Sequence, residues 1–453
     1  MYTYSILDFV VLPWYLIIIL MTANIYANKK KITQSCYSYF TLGLIAKIVG
    51  GLGVALVYTV YYTAGDTTEY FGNVIVLLNL AFYDFSAFWY VMTEPASNAS
   101  MLFFNSDTGY ACYARDPKAW AVVKMTLPIV IVSFQSFLTT TVLCATLSFI
   151  GIWRLYKVFV LEFPTLEKEM AISFLFIPSV FFWGSGLLKD TLTLSALGFF
   201  FSSLYYLIMR KERILKSILV VLISAYVIMA IKPYIMVGLF PAIIIWVVQL
   251  SAAKINIKAL RAIAVPIVLA VGFGLVYWIM SVLGESLDEY QVESILEKAQ
   301  ITQRDLKSDY YQGNSFDIGD FEATLPSIAS KFPIATFSAI FRPLIIESNN
   351  FVMFFSGLEN LILLIFALRV LLKVKILGFF RFFFTHHLLT FSLFFSIFFA
   401  FSVGLSTSNF GSLVRYKIPS IPYFVASLFI IRHLKLQEVE LKEKNRNIDS
   451  SEN

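Results

Sequence analysis

Charge is what this 453-residue chain has least of. Asp, Glu, Lys and Arg make up 14% of it, against 58% hydrophobic residues, and the mean hydropathy is +0.76. Soluble domains carry roughly 25% charged residues, so a soluble fold of this length would leave much of its apolar surface uncovered. Cysteine is scarce too. Cys36, Cys112 and Cys144 are odd in number, far apart and without metal-ligand spacing, which excludes a disulfide framework. The three histidines are His386, His387 and His433, and the adjacent pair reads as interfacial rather than as a metal site. The excess of 35 Lys and Arg over 29 Asp and Glu gives +6, but the bases lie in short loops between apolar runs, which excludes a nucleic-acid binder. No basic region precedes the first apolar stretch, so it is expected to be a retained span rather than a cleaved signal. No internal repeat is evident.

What is abundant is apolar length and aromatic rim. The 45 Phe and 25 Tyr suit a lipid-embedded body with interfacial belts. Runs long enough to cross roughly 30 Å of hydrocarbon fall at about 8–27, 38–62, 136–159, 171–188, 190–208, 217–231, 235–251, 262–283, 351–370, 388–404 and 420–432. The expectation is an all-α polytopic transmembrane bundle of about 11 spans. The run 122–134 is read as a further span, a re-entrant helix or an interfacial helix.

With the N-terminus outside, the inner loops and tail receive 22 of the 35 basic residues, 12 fall outside, and Lys47 lies within a span. The positive-inside rule therefore predicts an outer N-terminus and a cytoplasmic C-terminus. Two long outer loops follow, 63–121 and 284–350, carrying short helices; 287–307 has helical character. Residues 1–434 are expected to form a single transmembrane domain and 435–453 a charged, partly disordered cytoplasmic tail.

The expected topology places five charged motifs on one face. Asp66 and Glu69, three residues apart, would share one side of a helical turn. They could activate a hydroxyl as general base or hold a divalent cation, and the same run also fits a capping box. Lys189 and Asp190 follow the small, flexible Trp183-Gly184-Ser185-Gly186 at a hinge between two apolar runs. Lys189 would face a phosphate, with Asp190 orienting it or capping the next helix. Lys232 precedes Pro233 and Tyr234 in a tight turn and would bind phosphate or snorkel. Arg342, with the planar fork suited to phosphate, and Glu347, with which it could instead form a salt bridge, bracket the entry to the expected span 351–370, and Glu359 lies about two turns inside that span. Arg415 and Lys417 place two cations on the side that topology disfavours for them. Lys47 is expected to snorkel. The catalytic candidates are thus Asp66 and Glu69; the phosphate-binding candidates are Lys189, Lys232, Arg342, Arg415 and Lys417; Asp190, Glu347 and Glu359 support them.

Gly-Asp-Thr-x-x-Tyr at 65–70, Pro-Ser-Val-Phe-Phe-Trp-Gly-Ser-Gly-Leu-Leu-Lys-Asp at 178–190, Lys-Pro-Tyr, Phe-Arg-Pro and Asn-Phe-Gly-x-Leu-Val-Arg-Tyr-Lys-x-Pro resemble motifs of bacterial envelope-polysaccharide membrane proteins. These are the O-antigen or exopolysaccharide polymerases and the multi-span glycosyltransferases that use polyprenyl-linked sugars. The resemblance implies a multi-pass protein of the bacterial inner membrane with an outward-facing site. It implies an undecaprenyl-(pyro)phosphate sugar donor and an acceptor glycan as partners, Asp66 as the early-loop acid, and Arg342, Arg415 and Lys189 on the phosphates. Such glycosyltransferases often carry Asp-x-Asp or Glu-x-Asp early, where this chain has Asp-x-x-Glu. The expected mechanism is therefore polymerase-like and without a required cofactor, with a divalent cation as the alternative. A transporter or flippase of lipid-linked or free saccharides is the second reading, and a non-catalytic subunit of an envelope-assembly complex the third.

Overall fold

The computed structural model describes residues 4–253, 301, 315–322 and 324–451. Among them the structure is helical and contains no strand, only an isolated bridge between Ser315 and Asn409. Among the described residues, seven helices are long and apolar enough to cross a bilayer, or eight when the bent pair Phe410–Tyr416 and Ile421–Asn445 counts as one. The chain is a helical membrane protein. The expected span at 262–283 lies outside the described residues, as does the helix expected at 287–307 apart from residue 301. The expected run 171–188 is not one helix: it breaks ahead of Pro178 and again at Gly184, so neither piece is long enough to span.

The chain divides into two compact units, Met1–Met236 and Val237–Asn453. In the first, α1 (Ile6–Lys31) begins with a capping box of Ser5 and Asp8. Asp8 is fully buried and accepts from Ser136 Oγ at 2.9 Å and Leu138 N at 3.0 Å, which pins the start of α1 to the start of a later helix. α2 (Phe40–Leu56) follows and ends in a π turn, Val57–Tyr61. Next come α3 (Asp66–Tyr83) and α4 (Phe85–Thr93), which occupy part of the expected outer loop, then α5 (Pro117–Val132), which contains most of the 122–134 run. α6 (Phe137–Glu162), α7 (Glu167–Leu175), α8 (Pro178–Trp183), α9 (Lys189–Tyr205) and α10 (Ile214–Ile231) complete the unit.

Small residues let α6 and α9 meet backbone to backbone. A Cβ on Gly198 would lie 2.2 Å from the carbonyl oxygen of Gly151, and one on Gly151 would lie 2.3 Å from that of Ser195. In lipid, where apolar burial gives no drive for helix association, such close van der Waals contact is what holds helices together. α10 instead leaves Leu215, Leu219, Leu222, Ile223 and Tyr226 exposed, an apolar face of the kind lipid covers.

α11 (Tyr234–Ala253) leads into the second unit, which continues with α12 (Leu325–Ser330), α13 (Phe332–Phe341), α14 (Phe351–Phe383), α15 (His387–Ser406), α16 (Phe410–Tyr416) and α17 (Ile421–Ser451). Trp246 of α11 stacks on His387 and packs edge-on against Phe391. α13 runs close against α15 at Gly404, where a Cβ would lie 2.0 Å from the carbonyl oxygen of Ala335. α17 continues as helix into the charged stretch from Lys435.

Candidate functional site

In the first unit the charged motifs gather where α3 and α9 begin and α10 ends. The chain leaves the π turn and reverses at Gly65, whose φ of +142° suits glycine alone; a Cβ there would collide with the Tyr58 ring at 2.5 Å. Gly65 is itself the N-cap of α3 and supplies no side-chain cap, so the capping box of Asp66 and Glu69 does not form. Both carboxylates instead lie in the first helical turn, where the helix dipole favours negative charge. Asp66 is half-buried and Glu69 exposed.

A loop that sequence reasoning did not single out closes over these acids. Asn73 donates to Glu69 O at 2.8 Å and accepts from Tyr113 N at 3.0 Å, tying the 112–116 segment to α3. The Tyr113 ring lies 5.0 Å from that of Tyr70. Burial pushes the Tyr113 phenol well above its ordinary pKa, and the charges of Asp66, Glu69 and Asp116 push it further the same way. Both effects favour the protonated phenol. Asp116 caps α5 by accepting from Lys118 N at 2.9 Å and also approaches Lys189 Nζ at 3.5 Å. Lys189 stands at the first position of α9, where the helix dipole opposes a cation, and lies within the fields of Asp116, Asp66 and Lys232.

The neighbouring pair is of a different kind. Asp190 and Lys232 meet at 2.5 Å with side chains 1% and 7% exposed, joining the start of α9 to the end of α10. That geometry makes Lys232 an internal partner of Asp190 rather than a snorkelling side chain. Lys189, at 23% exposed, is the more accessible of the two lysines in this cluster.

Below the cluster the α8–α9 junction is unwound, and its carbonyls need donors. Lys47 provides them. The residue is 1% exposed, and its ammonium donates to Gly184 O at 2.9 Å, Val180 O at 3.2 Å and Ser148 Oγ at 3.2 Å. The expected snorkelling is corrected: Lys47 points inward because the broken helix supplies oxygen acceptors there. Thr191 Oγ1 and Ser185 Oγ bond to Gly186 O and Phe181 O, each at 2.5 Å, and satisfy further carbonyls of the same segment.

The second unit holds the other motifs. Arg342 follows α13 and is gripped by Glu347, its Nε donating at 2.9 and 3.2 Å to the two carboxylate oxygens while Nη2 bonds Oε1. Glu347 also accepts from Leu344 N at 2.7 Å. The guanidinium lies 5.1 and 5.4 Å from the rings of Phe316 and Phe410, which stack on each other. Lys417 is 1% exposed and donates to Asn360 Oδ1 at 2.6 Å, Ile340 O at 3.1 Å and Arg342 O at 3.3 Å; Asn360 in turn donates to Pro343 O at 2.9 Å. All three ammonium protons thus have acceptors within the protein. Glu359, half-buried on α14, contributes a favourable charge at Lys417. Arg415 is half-buried in the last turn of α16, which Asn409 caps through Ser412 N at 3.1 Å.

The structure therefore brings Asp66, Glu69, Lys189, Asp190 and Lys232 together within the first unit and adds Asp116 and Tyr113. In the second it assembles Arg342, Glu347, Glu359 and Lys417 around Asn360. The sequence carried one signal for Asp116: it directly precedes Pro117, the N-cap and N1 pattern of a helix start. Comparisons with family models, curated proteins and solved structures found no match.

Proposed function

We propose that this protein is a glycosyltransferase or polysaccharide polymerase acting at the outer face of a bacterial inner membrane on polyprenyl-(pyro)phosphate-linked saccharides. The observation that supports this most is the gathering of Asp66, Glu69, Asp116, Tyr113 and Lys189 at the ends of apolar helices, where a lipid-borne phosphate and a soluble hydroxyl can meet. In the reaction, Asp66 takes the proton of the acceptor hydroxyl, whose oxygen attacks the anomeric carbon of the donor. The bond from that carbon to the phosphate oxygen breaks, and the phosphate leaves with the electron pair, its charge met by Lys189. Tyr113, held protonated, donates to the sugar or the phosphate. Asp190 and Lys232 act as a positioning pair that fixes the start of α9. In the second unit, Arg415 is assigned to phosphate by motif resemblance.

Replacing Asp66 with Asn removes the base and should lower chain formation from a polyprenyl-diphosphate-linked saccharide by about 10²–10⁴-fold, the usual contribution of a general base. Protein amount and melting temperature should stay unchanged. Full activity in both Asp66→Asn and Glu69→Gln would overturn the reading.

One observation favours the second reading, a saccharide transporter or flippase. The unwound α8–α9 junction over a buried lysine has the form of the discontinuous helices that build transporter sites. Reconstituted vesicles separate the two: flux of a lipid-linked saccharide without chain growth identifies a transporter.

A further inference from the structure

At the other end of α9 from Lys189 the bundle holds a second charged site, outside every motif discussed so far. α9 runs 17 residues from Lys189 to Tyr205, so about 25 Å separates its ends. Beyond Tyr205 the chain makes a π turn, Tyr206–Arg210, and enters α10 through a tight reversal in which Lys211 and Arg213 both take positive φ, 53° and 49°. Non-glycine residues seldom adopt that conformation, and two in one turn mark a backbone held by its surroundings. The reversal, the end of α6, the end of α9 with its π turn, and the start of α10 line an open-sided cavity of about 390 Å³.

Its lining is basic. Arg154 and Lys157 come from α6, Arg213 and Lys216 from the reversal and α10, and Glu212 is the single carboxylate. Four cations against one acid leave a formal charge of +3. Arg154 donates to Ser203 Oγ at 3.2 Å and lies 5.2 Å from the Phe199 ring, while Lys157 lies 5.9 Å from the Tyr37 ring. Neither contact neutralises charge. Arg154 and Lys157 are three residues apart on one helical face and repel each other, and Lys30 adds to the repulsion at Lys157. Among the described residues no ion pair within 4.0 Å joins any of the four cations to a carboxylate.

We propose that this cavity binds a phosphate-bearing anion with at least two negative charges, at a site separate from the Asp66–Lys189 cluster. The guanidinium of Arg154 offers the planar fork that matches a phosphate, held in place by Ser203 and Phe199. Lys157, Arg213 and Lys216 supply point charges around it. Two sources carry this chemistry: the headgroup of an anionic phospholipid reaching in from the bilayer, since basic pockets between transmembrane helices take such groups, and a free diphosphate from solution. The assignment does not depend on the glycosyl-transfer reading, because the cavity shares no residue with that cluster.

The test uses the full chain purified in detergent, stripped of lipid and titrated with cardiolipin, phosphatidylcholine or inorganic pyrophosphate. Retention is read by native mass spectrometry and stabilisation by melting temperature. Cardiolipin or pyrophosphate should bind and stabilise where phosphatidylcholine does not. The double variant R213Q/K216Q, altered at two exposed side chains, should weaken that binding by about 30-fold. It should melt like the wild-type protein when no ligand is added. Saturation by cardiolipin alone identifies a lipid headgroup, and displacement of cardiolipin by pyrophosphate identifies a site open to free diphosphates. Cardiolipin held no better than phosphatidylcholine together with no effect of pyrophosphate, or undiminished binding in the double variant, would overturn the proposal.

Discussion

Single side chains in this protein divide by what their charges face. Lys189 and Asp116 are partly open to a ligand, whereas Asp190 and Lys232 are sealed against each other. Breaking a buried pair leaves an uncompensated charge, so Asp190→Asn should destabilise the fold by about 3–5 kcal/mol, read as a lower melting temperature in detergent. Replacing both partners with apolar residues, Asp190→Leu with Lys232→Met, should recover most of that loss. A double variant as unstable as the single one would show that the pair does more than neutralise itself. The individual acids and bases could be read from the sequence because charge is conspicuous in an apolar chain. Their pairing could not: Asp116 and Lys189 are 73 residues apart, and Asp190 and Lys232 are 42 apart. The Arg342–Glu347 bridge, five residues apart, was within reach as the alternative to phosphate binding.

At the scale of elements, unbroken apolar runs were legible and broken ones were not. Hydropathy reads composition over a window, so 171–188 looked continuous although Pro178 and Gly184 interrupt it. Where the helix breaks, Lys47 and Ser148 replace the lost backbone donors. Lys47→Met keeps length and removes that donor. It should cost about 1–3 kcal/mol, the penalty for leaving buried acceptors short of a partner. The loss should be local, with faster amide exchange across residues 184–188 and little change in the middle of α6. Uniform acceleration over both would mean that Lys47 supports the whole unit. The same logic explains why α6 and α9 could not be matched in advance: Gly151 and Gly198 fit one another only once the helices are placed.

For the whole molecule, the orientation read from basic residues has a natural reporter. Cys112 is exposed, in the segment beside Tyr113, while Cys36 and Cys144 are buried. In intact spheroplasts a membrane-impermeant maleimide should label the wild-type chain, and Cys112→Ser should abolish the signal. Labelling that appears only after lysis would reverse the orientation, and with it the face assigned to the Asp66 cluster. Lys47 also ties the fold to the timing of its own synthesis. Its acceptors lie 101, 133 and 137 positions later in the chain. At about 5–20 residues per second, α2, which ends at Leu56, is complete roughly 6–26 s before the carbonyl of Gly184 is made. Throughout that interval α2 carries a lysine whose placement mid-membrane costs about 2.5–3.5 kcal/mol. The finished helix should therefore stay shallow or sheltered until the segment that carries its acceptors has been made.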